Sequence, residues 1–390
     1  PRSRSSCSHL KTNRKTQLRM NLISAETATK PPILWTTRKS WHTTSAVQNL
    51  SSLHSEHPQL PKAANLRSFG AMYPSPISSR TSSKHITFST VLLCLPIFIS
   101  EFIIGRRSQK NAFAAFRDLS GGSKWKWVGL FTIIVPLIVL SYYSVIGGWS
   151  VEYLFKSLSF SFTGSGSQDT FNLMFSNFVS SPWAPLIAHT IFLGLTTIIV
   201  MIGIKDGIEK FSKVMMPLLF FIVISIAVYS LTLPGASEGV DYLFNPDFSK
   251  IDGKAIAAAL GQAFFSLSLG FGTIMTYASY VDKKENILFQ STATAVSDLM
   301  FALIAGVAIM PAVFAFGLAP DSGPGLVFET LPYVFGQMPA GGVVAILFFV
   351  ALLVAALTSS ISMLEVAVAY LVEEKKIPRA AACAAIFAAS

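Results

Sequence analysis

The sequence predicts an all-α membrane protein, and three observations predict it. Hydrophobic residues make up 52% of the 390-residue chain and charged residues only 13%, giving a mean hydropathy of +0.54; soluble domains carry about twice that share of charge. The apolar residues fall into long runs rather than short alternating ones. The charge sits almost entirely between those runs, with more positive charge on alternate loops.

The runs span 89–105, 127–154, 184–202, 214–233, 256–280, 291–317 and 341–372, and an eighth begins near Pro378. Each approaches or exceeds the roughly 20 residues needed to cross about 30 Å of hydrocarbon. When the loop after the first run, "RRSQKNAFAAFRDLSGGSKWK", is placed in the cytoplasm, the cytoplasmic loops hold fourteen Lys/Arg and the opposite loops three. This is the positive-inside distribution and predicts a multi-pass protein of the cell membrane. The outer loop "LAPDSGPGLVFETLPYVFGQMPAGG" is long enough for a short helix capping the outer face.

The segment 1–88 differs in kind. It holds thirteen Lys/Arg, two acids and five of the six histidines, without helical or alternating periodicity, and reads as disordered. It has no apolar stretch of a secretory signal. With a chain that starts at Pro1, a non-native or out-of-frame origin stands beside a genuine tail. The formal net charge of +10 resides here, and residues 89–390 sum to −1, so no nucleic-acid partner is expected. Cys7, Cys94 and Cys383 show neither disulfide nor metal spacing.

Within the apolar runs, ionisable side chains are costly and usually face a bundle interior or a cavity. They are Glu101, Asp298 and Glu365. Hydroxyls cluster at "SYYS" (141–144), at Ser266 and Ser268, and at "TSSIS" (358–362). Such hydroxyls also serve simply to bond a carbonyl one turn back or to let helices pack closely. Taken together they point to a polar site at the midplane. The sixth run weakens itself there, at "SLSLGFG" (266–272), where Gly270 and Gly272 disfavour a continuous helix. A helix broken at this depth exposes carbonyls for a hard cation and amides for a carboxylate, and the glycines let a ligand approach the backbone. A kink or a packing groove is the plainer reading.

"GQAFFSLSLGFGTIMTYASYV" (261–281) resembles the sixth transmembrane helix of the sodium:neurotransmitter symporter family, bacterial amino-acid branch. "LPIFISEFIIGRR", "SYYSVIGGW", "AGVAIMPAVFAFG" and "AALTSSIS" are similar, in collinear order, to its second, third, seventh and eighth helices. The resemblance implies helices 2–8 and the start of 9 of a twelve-helix inverted-repeat symporter, with a discontinuous helix near 264–273, coupling sodium entry to amino-acid uptake by alternating access. Position by position it implies that Tyr143, Phe265, Ser266, Ser268 and Phe271 bind substrate, Phe265 closing the pocket from outside. Ser266, with Ser297 or Asp298, would ligate a first sodium. Ala355 (through its carbonyl), Thr358 and Ser359 would ligate a second. Gln262 falls in the region that chloride-dependent members use, and Asp298 stands where a carboxylate would replace that anion. Glu101 would brace the break at Gly270 and Gly272, and Tyr280 and Glu373 fall near the inner gate. The implied partners are sodium, a neutral amino acid and the lipid bilayer.

The family's first-helix signature, Gly-Asn-x-Trp-Arg-Phe-Pro, does not occur here. The expectation is therefore a partial symporter domain over 89–390, with a non-transporting or partner-associating membrane fragment as the alternative. No paired catalytic carboxylates, metal set or nucleophile motif supports an enzyme.

Overall fold

The computed structural model describes residues 93–164, 166–245, 253–282, 284–318 and 325–390; the expected disorder of 1–88 lies outside them. The described residues form helices and turns, with no strand among them. In chain order the helices are α1 Leu95–Ser108, α2 Ala112–Leu119, α3 Lys126–Leu158, α4 Gln168–Ser180, α5 Ala184–Ile202, α6 Lys210–Leu231, α7 Ala236–Phe244, α8 Gly253–Ser266, α9 Thr273–Ser279, α10 Ile287–Ala315, α11 Leu331–Gln337, α12 Gly341–Glu373 and α13 Arg379–Ala389.

Five described helical stretches are long and apolar enough to cross a membrane: α3, α5, Ile204–Leu231, α10 and α12. Their bounds follow the apolar runs closely, because hydropathy alone sets where a chain can satisfy its backbone inside hydrocarbon. One boundary moves. A π-helical segment, Ile204–Glu209, leads directly into α6, so this helix starts ten residues before the expected run at 214. Its first turns carry Lys205, Asp206, Glu209 and Lys210, which a hydropathy window rejects but a helix emerging into water accepts.

Three short helices were not expected. In α2 the Asn111 side chain accepts from Ala114 N at 3.1 Å and caps the first turn. In α4, Phe171, Phe175 and Phe178 are buried, and this i, i+4, i+7 spacing was a legible signal. In α7, Gly239 lies so close to Pro311 that a Cβ would be 2.5 Å from its Cα. The outer loop does carry its expected helix: a π-helical segment, Leu326–Thr330, continues into α11.

The sixth apolar run is broken where the sequence indicated. Helix α8 ends in a Schellman arrangement, with Leu269 N bonded to Phe264 O and Ser268 N to Phe265 O, both at 3.0 Å. Ser268 (φ 53°), Gly270 (φ 78°) and Gly272 (φ 67°) all adopt left-handed backbone, and α9 restarts from Gly272. Glycine adopts this conformation without steric cost, whereas a serine does not. Ser268→Gly should therefore raise stability by about 1 kcal/mol, measured as a higher apparent melting temperature in detergent; a lower one would show that the hydroxyl contributes more than the strain costs.

The break itself packs against α1, where Leu267 and Leu269 share a core with Phe98 and Phe102, and two larger cores lie to either side. On the outer side, Trp149 and Tyr153 of α3 meet Phe175 of α4, Phe328 and Phe349 of α12, with the Tyr153 and Phe328 ring centroids 5.0 Å apart. Toward the cytoplasm, Leu140 of α3, Leu193 and Val200 of α5, Met275 of α9 and Leu364 of α12 pack together.

Candidate functional site

A carboxyl group from α1 meets the backbone at the break. Glu101, on α1, accepts a hydrogen bond from Gly270 N at 2.7 Å through Oε1. A backbone amide left free at the break is thus satisfied by a carboxyl oxygen from α1. Before the break, the Ser266 hydroxyl donates to Asp298 Oδ2 of α10 at 2.7 Å. Ser297, the neighbouring candidate, is exposed; one residue of helix rotation carries it away from Ser266. Phe265 and Phe271 stand on either side of the break, edge to face with centroids 6.1 Å apart. Gln262, one turn earlier on α8, is half-buried.

A cavity of about 290 Å³ lies between α3 and α12 and is bordered by the segment before α11. Tyr143, Ser150, Val327, Phe328, Ala355 and Ser359 are among its walls. The Tyr143 and Ser359 side chains both line it, so the site is largely apolar with a small polar edge. Such a composition and size suit a small molecule with few polar contacts.

The hydroxyls of "TSSIS" divide by direction. Thr358 donates to Ala355 O at 2.9 Å, and Ser359 faces the cavity. Ser360 is turned to α5, where it meets Thr196 Oγ1 at 2.8 Å. Ser362 meets the Tyr277 hydroxyl of α9 at 3.2 Å. The "SYYS" serines correct the expectation of a shared polar site. Ser141 donates to Ile138 O and Ser144 to Leu140 O, each at 2.7 Å. These two satisfy their own helix, as serines in membrane helices commonly do.

A third cluster ties the cytoplasmic ends together. Glu365 of α12 is fully buried. It accepts from the Tyr280 hydroxyl at 2.9 Å, from Arg379 Nη1 at 3.3 Å and from Arg379 Nη2. Arg379 Nε also donates to Val200 O of α5 at 2.8 Å. One carboxylate therefore joins α9, α12 and α13, and its partner carries the link to α5. Glu373, at the end of α12, accepts from both Asn111 N and Asn111 Nδ2 at 2.8 Å, anchoring the start of α2. Arg117 of α2 reaches Glu374 at 2.7 Å, and Lys110 and Arg117 hold the Asp118 carboxyl below the usual carboxylate range. Sequence reasoning did not select Arg379. Its signal was a cation opening an apolar helix directly after a proline, "PRAAACAAIF".

Comparison with known proteins places this geometry. The family model described as Sodium:neurotransmitter symporter family matches residues 86–179 and 176–389. An uncharacterised sodium-dependent transporter of Bacillus subtilis (strain 168) is 44% identical over 280 residues, covering 72% of this chain and 62% of the relative. An uncharacterised sodium-dependent transporter of Haemophilus influenzae is 37% identical over 301 residues, covering 74% and 65%. The chain thus spans just under two thirds of the length of these curated relatives. The crystal structure of MhsT in complex with L-phenylalanine superposes with a TM-score of 0.75 at 40% identity, covering 81% of this chain and 73% of that one. The named relatives are transporters rather than enzymes, and the apolar helices make this a multi-pass membrane protein. The chain belongs to the sodium:neurotransmitter symporter family.

Proposed function

We propose that the protein carries out sodium-coupled symport of a neutral, hydrophobic amino acid. The observation that carries this reading is the apolar cavity whose polar edge is the Tyr143 and Ser359 hydroxyls, in a chain that superposes on a protein bound to L-phenylalanine. Tyr143 would bond the substrate carboxylate in this cavity; Phe265, Phe271, Ser266 and Ser268, which do not line it here, would complete the pocket from the break. Sodium, a hard cation, takes oxygen ligands without needing surplus protein charge. The Ser266 and Asp298 oxygens would contribute to one sodium position; Ala355 O, Thr358 and Ser359 would contribute to the other. Asp298 would also supply the negative charge for which other members need chloride.

The test is a sodium titration of L-phenylalanine binding to the reconstituted protein. Thr358→Ala or Ser359→Ala removes a ligand to an ion, a loss of about 1.5–3 kcal/mol, so sodium affinity should fall roughly ten- to hundredfold. Substrate affinity at fixed sodium should fall with it, because the coupling of two ligands is reciprocal. Ser362→Ala, which removes the bonds to Tyr277 and to Thr358 O but no proposed sodium ligand, should leave the sodium dependence unchanged, and replacing chloride by gluconate should do the same. Equal damage from Ser362→Ala, or sodium-independent binding in the unaltered protein, would overturn the assignment.

A further inference from the structure

The cytoplasmic start of α3 reads "GGSKWKW" (121–127), and neither of its tryptophans is used by the fold. Trp125 is 61% exposed and Trp127 54% exposed. Indole rings left on a surface are unusual in a folded chain; they sit comfortably where an apolar body meets lipid and an N–H meets headgroups. The exposed apolar stripe above them fixes where that boundary lies. Trp127, Phe131, Ile134 and Ile138 recur at helical spacing on one face of α3, and all are exposed. From Trp127 to Ile138 this stripe climbs about 16 Å at 1.5 Å per residue, roughly half the hydrocarbon thickness. The tryptophans therefore lie at the lower edge of the bilayer.

The lysines between them add charge at the same level. Lys124 is exposed, and the Lys126 ammonium lies 5.9 Å from the centroid of the Trp127 ring, within cation–π range. Neither lysine forms an ion pair among the described residues, whereas the nearby Lys110 and Arg117 are both paired with Asp118. Two uncompensated cations interleaved with two interfacial indoles complement a negatively charged phosphodiester whose acyl chains run up the Phe131 side.

We infer that Lys124, Trp125, Lys126 and Trp127 form a binding surface for the headgroup of an anionic phospholipid at the cytoplasmic face. The surface sits about 25 Å along α3 from Tyr143, so the bound lipid fixes the depth of the helix that lines the cavity.

The experiment places the full chain in phosphatidylcholine nanodiscs containing a small, equal mole fraction of brominated phosphatidylglycerol or brominated phosphatidylcholine. Tryptophan quenching is measured and corrected with a Trp125→Phe/Trp127→Phe variant, so that only this face reports. Brominated phosphatidylglycerol should quench more strongly. Each lysine near an anionic lipid surface is worth about a fivefold preference, so Lys124→Gln/Lys126→Gln should remove most of it, while Lys124→Arg/Lys126→Arg should retain it. Both pairs of substitutions are at the surface, and unchanged helical circular dichroism verifies folding. Equal quenching by the two lipids, a preference that survives the Gln variant or is lost in the Arg variant, or displacement by inorganic phosphate would each overturn the inference.

Discussion

Arg379→Ala should destabilise the chain by about 3–5 kcal/mol, the cost of leaving a buried charge without its partner. Glu365 has no solvent exposure, and Arg379 has only 22% of its side chain exposed. Water therefore has little access to replace the guanidinium. Three Arg379 nitrogens are engaged, Nη1 and Nη2 with Glu365 and Nε with Val200 O. Alanine would leave the carboxylate without its cation, while Val200 O would keep its bond from Gly203 N. Tyr280 would still donate to Glu365 Oε1, but one neutral hydroxyl offsets only part of a carboxylate's desolvation. The double variant Glu365→Gln/Arg379→Met tests the cause, since it removes both charges and keeps similar volume. It should recover most of the stability, because a buried ion pair contributes little net energy beyond its own desolvation. The measurement is the apparent melting temperature in detergent of Arg379→Ala, of the single variants Glu365→Gln and Arg379→Met, and of the double. If Arg379→Ala melts like the unaltered chain, or if the double variant is worse than either single one, the buried pair is not what fastens α12 to α13.

The second large effect is expected at Gly105, where α1 crosses α9. A Cβ at this position would lie 2.2 Å from Met275 O and 2.7 Å from Met275 Cα. These are backbone atoms, so no side-chain rotation relieves the clash and the two helices must separate. Gly105→Val should cost about 3 kcal/mol, the upper end of overpacking. The damage should extend to the break, because Glu101 lies one turn before Gly105 on α1 and reaches Gly270 N from there. Moving α1 outward lengthens that bond and frees the amide. Hydrogen exchange at Gly270 should accordingly quicken in Gly105→Val. Gly194→Ala is the matched control: it is also helical, but its Cβ would meet nothing within 4 Å, and the gain in helix propensity should make it neutral or slightly stabilising. A Gly105→Val variant that melts normally and protects Gly270 normally would show that α1 and α9 are not held at the distance described.

Much of this was legible in the residues, but unevenly. The long helices were, because burial in hydrocarbon is a property of twenty consecutive residues and survives any change of neighbours. The break was also legible, because Gly270 and Gly272 weaken a helix locally. The short helices α2, α4 and α7 escaped because each is too short for its periodicity to stand out, even where, as in α4, the spacing was there to be read. They are helical by virtue of what they dock against: Glu373 for the start of α2, Phe328 for Phe175 of α4, with stacked rings 5.8 Å apart.

By itself, the sequence determined that this is an all-helical membrane chain, broken at "SLSLGFG" and built on the sodium:neurotransmitter symporter pattern. Only the tertiary structure decided between side chains that the sequence left equivalent. It brought Asp298 rather than Ser297 to Ser266, turned Ser359 toward the cavity and Ser360 toward α5, and paired Glu365 with Arg379. The physical reason is range. Hydropathy and backbone preference act over a turn or two of chain, whereas a hydroxyl or carboxylate takes its meaning from a partner far away in sequence, 169 residues for Glu101 and Gly270 and 85 for Tyr280 and Glu365. Adjacent helix positions point about 100° apart, so the packing of whole helices selects which of two neighbouring polar residues meets that partner.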